Sequence, residues 1–284
     1  MTKGEIQIRD NTKFRKSLTK LNNELFIANT VFVNSNFIEE NVNELLSDTD
    51  FNTITFTDEY ELNNIDFLNN YDLKSIKAVN ILSKHVKDIK GLYSLKHLEK
   101  ISSTNKKIDY SNFTNLRSLA GEINNFSYKT LTNIDTLEVI AITNKFKEKD
   151  VSIFSKNIHL RYLMLRGAKI ESLIGLSNFV NLESLNLFHN RNILSLEGIT
   201  KKLINLREIY IDSCPKLYYV NDFLLNVPHI EYLQLGVKKI DSFKFIDSLK
   251  GLKLLSIHNK IVQVEDGNKT SLIKGLNRTG GKIW

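Results

Sequence analysis

A short apolar pattern, L-x-x-L-x-L, recurs along most of this 284-residue chain. It restricts the fold more than any other feature of the sequence. The clearest copies start at Leu160, Leu182, Leu206, Ile230 and Leu252. Weaker copies start at Phe51, Ile76, Leu98, Leu116 and Leu137, and a degenerate first copy starts at Ala28. Successive starts lie 18 to 25 residues apart, and a repeat of this length is typical of a solenoid.

Each copy predicts one β-strand whose apolar positions 1, 4 and 6 point into a core. A second apolar set recurs between the strands, as at Ile170, Leu173 and Leu176, and it lines that core from the opposite wall. Because one repeat cannot bury these residues alone, neighbouring repeats must stack, and their strands then form one parallel sheet. Repeats this short leave room only for 3₁₀ turns or extended segments on the other side.

The pattern over residues 28–260 resembles the leucine-rich-repeat superfamily, in particular the class with repeats of about 22 residues found in internalins and phosphatase-regulatory subunits. The segment LSNFVNLESLNLFHNRNILSLEGI, residues 176–199, is close to its consensus. The resemblance implies an α/β fold, a curved solenoid with the parallel sheet on its concave face and an N-terminal helical cap. It also implies a ladder of side chains that bond the turning backbone eight positions after the repeat start, where this chain has Asn36, Asn124, Asn190 and Cys214.

The sequence divides into three predicted parts. Residues 1–27 form an N-terminal cap with a helix over 10–25, residues 28–260 form the solenoid of 10–11 repeats, and residues 261–284 form a C-terminal cap or tail. A solenoid needs such caps because its end repeats otherwise expose an apolar cross-section. The copies LEKISS and LRSLAG, only 18 residues apart and with Ser or Gly at position 6, predict a local irregularity in the stack.

The chain lacks the motifs of the common enzyme classes. It contains no HExxH, GxSxG, CxxC or phosphate-loop pattern, which are the arrangements that bind metals, activate nucleophiles or cradle phosphates. The sequence therefore predicts a protein that is not an enzyme and needs no cofactor or metal. The one catalytic cluster that neighbouring strands could assemble is His189, Asp212 and His258.

The single cysteine, Cys214, excludes an intramolecular disulfide and fits a reducing compartment. Its place in the ladder favours a buried structural thiol over a nucleophile. The N-terminus lacks the apolar core of a signal peptide, and no run of about 18 apolar residues could span a membrane. A cytoplasmic location is the expectation.

Period-2 alternation places positions 3, 5 and 7 of each repeat on the concave surface. In the N-terminal half these are mostly small or polar, as at Thr55, Ser102 and Ala141. The C-terminal half is rich in the residue types that dominate interfaces, although aromatic residues also stabilise sheets through cross-strand pairs. The predicted partner-binding residues are Tyr162, Met164, Arg166, Asn186, Phe188, His189, Glu208, Tyr210, Asp212, Tyr232, Gln234 and His258.

The leading hypothesis is a cytoplasmic solenoid that binds a protein partner, as an inhibitor or immunity protein that neutralises a toxin, or as a regulatory or scaffold subunit. A different class is nucleic-acid binding through the basic C-terminal half, since residues 151–284 carry 19 basic and 11 acidic side chains. Glu208 and Asp212 oppose that class, because they stand among the tyrosines and would repel phosphates. The sequence leaves the partner's identity and the oligomeric state open.

Overall fold

One sheet runs through the whole of the computed structural model, which describes residues 30–35, 51–143, 146–237, 240, 242–257 and 260–263. Within these ranges twelve strands lie side by side in chain order. The first eleven are parallel, and the last pairs antiparallel with the eleventh. The strands are β1 Thr30–Val33, β2 Thr53–Phe56, β3 Ala78–Ile81, β4 Lys100–Lys106, β5 Ser118–Ile123, β6 Val139–Thr143, β7 Tyr162–Arg166, β8 Ser184–Phe188, β9 Glu208–Asp212, β10 Tyr232–Gly236, β11 Leu254–Ile257 and β12 Lys260–Gln263.

Each of the eleven parallel strands begins two residues after a predicted repeat start, so the strand prediction is confirmed repeat by repeat. Positions 4 and 6 of the repeats are buried almost throughout, as Leu163 and Leu165 show in β7. They share one continuous core with the second apolar set, including Ile170, Leu173 and Leu176. Burial of this kind is the main stabilising contribution in a solenoid, and here each repeat obtains it from its neighbours.

Short helices connect the strands on the opposite side of the core. Five 3₁₀ helices occupy Asp66–Asn70, Lys90–Ser94, Tyr110–Asn112, Ser152–Phe154 and Leu176–Asn178. Three α-helices are also present in the described ranges: α1 Asn125–Leu131, α2 Asn221–Leu224 and α3 Phe245–Ser248. The prediction that only 3₁₀ or extended segments fit there is therefore wrong at α1. Asn124 caps that helix by accepting a hydrogen bond from the Ser127 N–H at 3.0 Å, which stabilises its first turn.

The predicted irregularity lies between β4 and β5. Their register shifts between Thr104 and Lys106, the signature of a β-bulge. Gly121 sits opposite Ser103 with a φ of 108°, and a Cβ there would overlap the Ser103 carbonyl oxygen. Ser103 and Gly121 are the non-apolar residues at position 6 of these two copies. They also allow the backbones of β4 and β5 to approach closely.

Side chains after the strands bond the turning backbone, as the predicted ladder requires. Asn190 donates to the Leu165 carbonyl at 2.9 Å and accepts from the Ala168 N–H at 2.7 Å. Asn124 donates to the Lys106 carbonyl at 2.8 Å. Asn36 lies outside the described residues.

A lysine takes the same position in the repeat that starts at Leu98. The buried Lys106 ammonium donates to the carbonyl oxygens of Ser83 at 2.9 Å and Val86 at 2.6 Å. Burial, together with the nearby Lys87, lowers the pKa of Lys106. Lys106 therefore takes the place of the ladder Asn and donates hydrogen bonds to the backbone of the preceding turn. It does so in the 18-residue repeat that starts at Leu98.

A row of alternating charge runs across the sheet at position 2 of nine successive repeats: Lys77, Glu99, Arg117, Glu138, Arg161, Glu183, Arg207, Glu231 and Lys253. Glu138 lies between Arg117, whose guanidinium is 2.6 Å away, and Arg161, at 3.9 Å. Arg161 in turn contacts Glu183 at 2.8 Å. A single exposed ion pair contributes little, but a network that places every carboxylate beside a cation contributes more. The alternation also favours one stacking order, since exchanging two neighbouring repeats would bring like charges together.

Replacing Glu138 by Lys should destabilise the chain by about 1–2 kcal/mol, because it removes two ion pairs and places three cations in a row. The measurement is the urea midpoint by circular dichroism, at low ionic strength and in 1 M NaCl. The control is Glu197→Lys on the exposed side opposite the sheet, which should change stability by less than about 0.5 kcal/mol. Equal effects of both substitutions, or an effect of Glu138→Lys that salt does not reduce, would contradict the network.

One polar residue interrupts a buried apolar row between the strands. Asn157 occupies the third position before its repeat start, where other repeats place Ile134, Phe179 and Leu203. It is 1% exposed, and its Oδ1 has no hydrogen-bond partner. A buried acceptor without a partner destabilises a fold by about 1–3 kcal/mol.

The Asn157 Nδ2 donates to the Phe154 carbonyl at 3.3 Å, so Asn157→Leu removes one long hydrogen bond together with the unpartnered Oδ1. It should still raise the melting temperature, by an amount corresponding to about 1 kcal/mol, because the buried acceptor is removed and the apolar row is restored. Thermal unfolding by circular dichroism measures this. Asn178→Leu, on the exposed neighbouring 3₁₀ helix, should leave the melting temperature nearly unchanged. A lower melting temperature for Asn157→Leu would contradict this account, because it would show that the Asn157 amide stabilises the fold through its hydrogen bonds.

The predicted caps, residues 1–27 and most of 261–284, lie outside the described residues. Lys260–Gln263 adds one antiparallel strand at the C-terminal edge of the sheet. In the part of the chain that the structure describes, no helix is both long and apolar enough to cross a bilayer.

Candidate functional site

The sheet face that points away from the core, here called the open face, carries ten of the twelve predicted partner-binding residues in three rows; His189 follows the third row, and His258 lies outside the described residues. Parallel register aligns equivalent positions of neighbouring strands, so each row crosses the sheet. The first row runs Tyr162, Ser184, Glu208, Tyr232; the second Met164, Asn186, Tyr210, Gln234; and the third Arg166, Phe188, Asp212, Gly236. Adjacent members are about 4.8 Å apart. We call the open-face residues of β7–β10 the open-face patch.

Two of its tyrosines are more deeply buried than the sequence predicted. Tyr162 is 5% exposed and packs with Val139, whereas Tyr210 is 6% exposed and packs with Leu254. The second cluster also includes Phe188 and Tyr232, which remain partly exposed. Neighbouring strands supply these contacts, as expected for cross-strand pairs. Tyr162 and Tyr210 thus form the base of the patch, and Phe188 and Tyr232 are available at its surface.

A buried carboxylate lies beneath the second aromatic cluster. Glu208 is 4% exposed and accepts hydrogen bonds from the hydroxyls of Tyr210 at 3.2 Å and Ser184 at 3.4 Å. Asn186 donates to the Ser184 oxygen at 3.0 Å. Burial, and then the Glu208 carboxylate, raise the pKa of Tyr210. The phenol therefore stays protonated at neutral pH and donates to Glu208, which fixes the orientation of its ring.

The second carboxylate of β9 lies at the surface. Asp212 is half-buried and accepts a hydrogen bond from the Ser213 hydroxyl at 3.3 Å. Its other side is open because the neighbouring residue in the row is Gly236, where an added Cβ would overlap the Asp212 Oδ1. Within the described ranges no ion pair involves Asp212, whereas the carboxylates of Glu138 and Glu231 each contact cations.

His189 follows Phe188 at the rim of the patch, is exposed, and has a φ of 56°. Its N–H donates to the Asp212 carbonyl at 3.0 Å. The equivalent residue of the preceding repeat is Gly167, with a φ of 66°. A bulky residue in this left-handed region is strained by about 1 kcal/mol. Ser213, the equivalent residue of the following repeat, has the same φ of 56°, so the left-handed turn is a feature of these repeats, and it is the exposure of His189 at the rim that makes it available to a partner.

The catalytic cluster considered from the sequence is only partly visible. His189 lies beside the Asp212 backbone, but His258 lies outside the described residues. Among the described residues, no group of three or more His, Cys, Asp and Glu side chains could hold a metal ion.

Cys214 occupies the ladder position, as predicted. Its buried thiol lies 3.5 Å from the Asp212 carbonyl and 3.8 Å from the Leu187 carbonyl. Burial raises the pKa of Cys214 to about 11, so at neutral pH it is an uncharged thiol and a poor nucleophile.

Sequence reasoning missed several residues that shape the site. Ser184 donates a hydrogen bond to Glu208, and Leu254 packs against Tyr210. Both occupy position 3 of their repeats, so aligning the repeats places them on the open face with Tyr162 and Glu208. The alternating charges at position 2 were also visible in the sequence. Lys106 carried no such signal, since lysine is seldom buried.

Comparison with known proteins supports the architecture. A leucine-rich-repeat protein of Leptospira interrogans matches 90% of this chain and 67% of its own length, with a TM-score of 0.62 and 14% identity. Internalin InlF of Listeria monocytogenes matches 76% of this chain and 56% of its own length, with a TM-score of 0.47 and 19% identity. Internalin C2 of the same organism matches 75% of this chain and 83% of its own length, with a TM-score of 0.43 and 14% identity.

No protein-family model and no curated protein matches the sequence. The likeness to the Leptospira protein and the eleven parallel strands together show a leucine-rich-repeat solenoid, the fold that the repeat pattern predicts. The open face is accordingly the concave face of the solenoid.

Proposed function

We propose that this chain binds a protein partner with the open face of β7–β10. The observation that carries the proposal is the combination of Phe188 and Tyr232, partly exposed, above a base of two buried tyrosines. Aromatic anchors on a rigid surface dominate protein interfaces, because they bury a large area and lose little conformational entropy.

Three further features support this surface over the remainder of the open face. Glu208 holds Tyr210 in place, so the base of the patch is ordered before a partner arrives, and such preorganisation favours affinity. Polar residues stand at the edge, with Arg166 and His189 exposed, as in the polar rim of an interface. The N-terminal strands instead present small residues such as Ser102 and Ala141.

Within this class we favour an inhibitor, such as an immunity protein that blocks a toxin by covering its active site, over a regulatory or scaffold subunit. The support is that the described residues form one solenoid whose open face carries the candidate binding surface. The two roles differ in outcome. A stoichiometric inhibitor abolishes the activity of its bound partner, whereas a scaffold leaves that activity intact.

Nucleic-acid binding is the alternative, on the strength of the basic C-terminal half. The open-face patch itself opposes a polyanion, because β9 places Glu208 and Asp212 on this face. A complex with single-stranded RNA that weakens steeply with salt and is lost in Phe188→Ala would favour the alternative.

Phe188→Ala or Tyr232→Ala should weaken the complex with the partner captured from the native cell by about 2 kcal/mol or more for at least one of the two. His189→Gly should also weaken binding while leaving folding intact, because glycine tolerates the left-handed backbone. The measurement is a calorimetric titration of the purified partner, with a melting curve for each variant. Tyr162 and Tyr210 are unsuitable for this test, since their truncation would open buried space.

The control is Tyr219→Ala, which removes an aromatic side chain that is 52% exposed, more than Phe188 or Tyr232, from the surface outside the sheet. It should leave the affinity unchanged. Loss of binding in Tyr219→Ala together with normal binding by Phe188→Ala and Tyr232→Ala would assign the partner to another face.

A further inference from the structure

A row of exposed apolar side chains lies at the edge of the solenoid where the strands begin, here called the N-terminal rim. The row occupies the second position before each repeat start, and in four successive repeats it consists of Ile158, Val180, Ile204 and Pro228. The first three are 41% to 62% exposed, and the proline is exposed as well. The same position is polar in the repeats on either side, at Lys74, Lys96, Thr114, Asp135 and Lys250. Single exposed apolar residues are common, but a continuous row of them is typical of a contact surface.

The row of alternating charge at position 2, the charge row, runs directly beside these apolar residues. Arg207 joins the two rows, because its guanidinium donates a hydrogen bond to the Ile204 carbonyl at 2.7 Å. Within the same four repeats the charge row consists of Arg161, Glu183, Arg207 and Glu231. Their side chains are 25% to 40% exposed, so they can contact charges of another molecule as well as one another. The N-terminal rim therefore presents an apolar row flanked by a row of alternating sign.

This arrangement is complementary to itself. A two-fold axis perpendicular to the sheet, at the rim between β8 and β9, places a second copy against the rim with its repeats in the opposite order. Each residue then faces its counterpart in the repeat equally far from the axis. The charge row gives three pairs of opposite sign, Glu183 with Arg207, Arg161 with Glu231, and Glu138 with Lys253. The outer row gives Val180 with Ile204, Ile158 with Pro228, and Asp135 with Lys250. None of these six pairs brings like charges together.

We propose that the N-terminal rim, over the repeats that start at Leu137 to Leu252, is an interface with a second copy of this chain in a symmetric antiparallel dimer. Symmetric contacts of this kind are the commonest in homodimers. The inference goes beyond the proposed function and does not depend on it, because the rim lies beside the open face and leaves it uncovered. The two-fold axis keeps both open faces on the same side, so the dimer presents two open-face patches together. The strip is narrow, and the dimer is therefore weak, like others with small interfaces.

Sedimentation equilibrium of the full chain over a wide range of concentration tests the association. We expect the mass to rise from 32.8 kDa towards twice that value as the concentration increases. Ile204→Lys should raise the dissociation constant at least about tenfold, because it places a charge in the apolar row on both sides of the axis. The matched control, Leu194→Lys, puts the same charge at an exposed apolar residue outside the rim and should associate as the wild type does. A mass that stays at 32.8 kDa at every concentration, or association that Leu194→Lys weakens and Ile204→Lys does not, overturns the interface.

Cross-linking tests the antiparallel order. In the proposed dimer Ile158 faces Pro228 of the second copy, whereas the two copies of Ile158 lie three repeats apart, about 14 Å along the row. A bifunctional maleimide too short for that distance should join a mixture of Ile158→Cys and Pro228→Cys chains and leave each variant alone unjoined. The wild-type chain is the control and should stay unjoined, because its Cys214 thiol is buried. Cross-linking of Ile158→Cys with itself shows a parallel arrangement and overturns the two-fold axis, as does a mixture that stays unjoined.

Discussion

No repeat of this chain can bury its own apolar residues, and the rest of the structure follows from that constraint. Leu163 and Leu165 of β7 are removed from water only because β6 and β8 lie on either side. The interactions that hold neighbours together are therefore all between repeats: the parallel sheet, the side-chain ladder through Asn190, and the charge row through Glu138. Each of these interactions joins two residues of adjacent repeats, about 22 positions apart in the sequence. Stability accumulates along the stack, as in other solenoids.

The same constraint gives the two faces of the sheet different roles: one packs in the core, and the other carries the open-face patch. One face is fixed by the core, whereas on the open face no second sheet is formed by the described residues, so its side chains are freer to vary. On β4 and β5 that freedom gives small residues such as Ser102 and Ala120, and on β7–β10 it gives the open-face patch. The patch is nevertheless built on partial burial. Tyr210 is held by Leu254, a residue of the next repeat but one, and by the Glu208 carboxylate.

What the sequence predicted well is what depends on local spacing. All eleven parallel strands, the irregularity near Gly121 and the ladder role of Asn190 follow from a period and an alternation. What it predicted poorly depends on residues from other repeats. The burial of Tyr162 by Val139 belongs to this class. The role of Lys106 was missed because lysine side chains usually lie at the surface, whereas this one is buried and donates to two backbone carbonyls. Helix α1 was missed because a short repeat was expected to hold no α-helix.

The central claim is that partner recognition resides on the open face of β7–β10, and hydroxyl-radical footprinting of the full chain with its captured partner tests it most directly. The account predicts that oxidation of Met164, Phe188 and Tyr232 falls in the complex. Tyr218 and Tyr219, which are 40% and 52% exposed outside the sheet, should be oxidised equally with and without the partner. Protection of Tyr218 and Tyr219, with unchanged oxidation of Met164, Phe188 and Tyr232, would contradict the account.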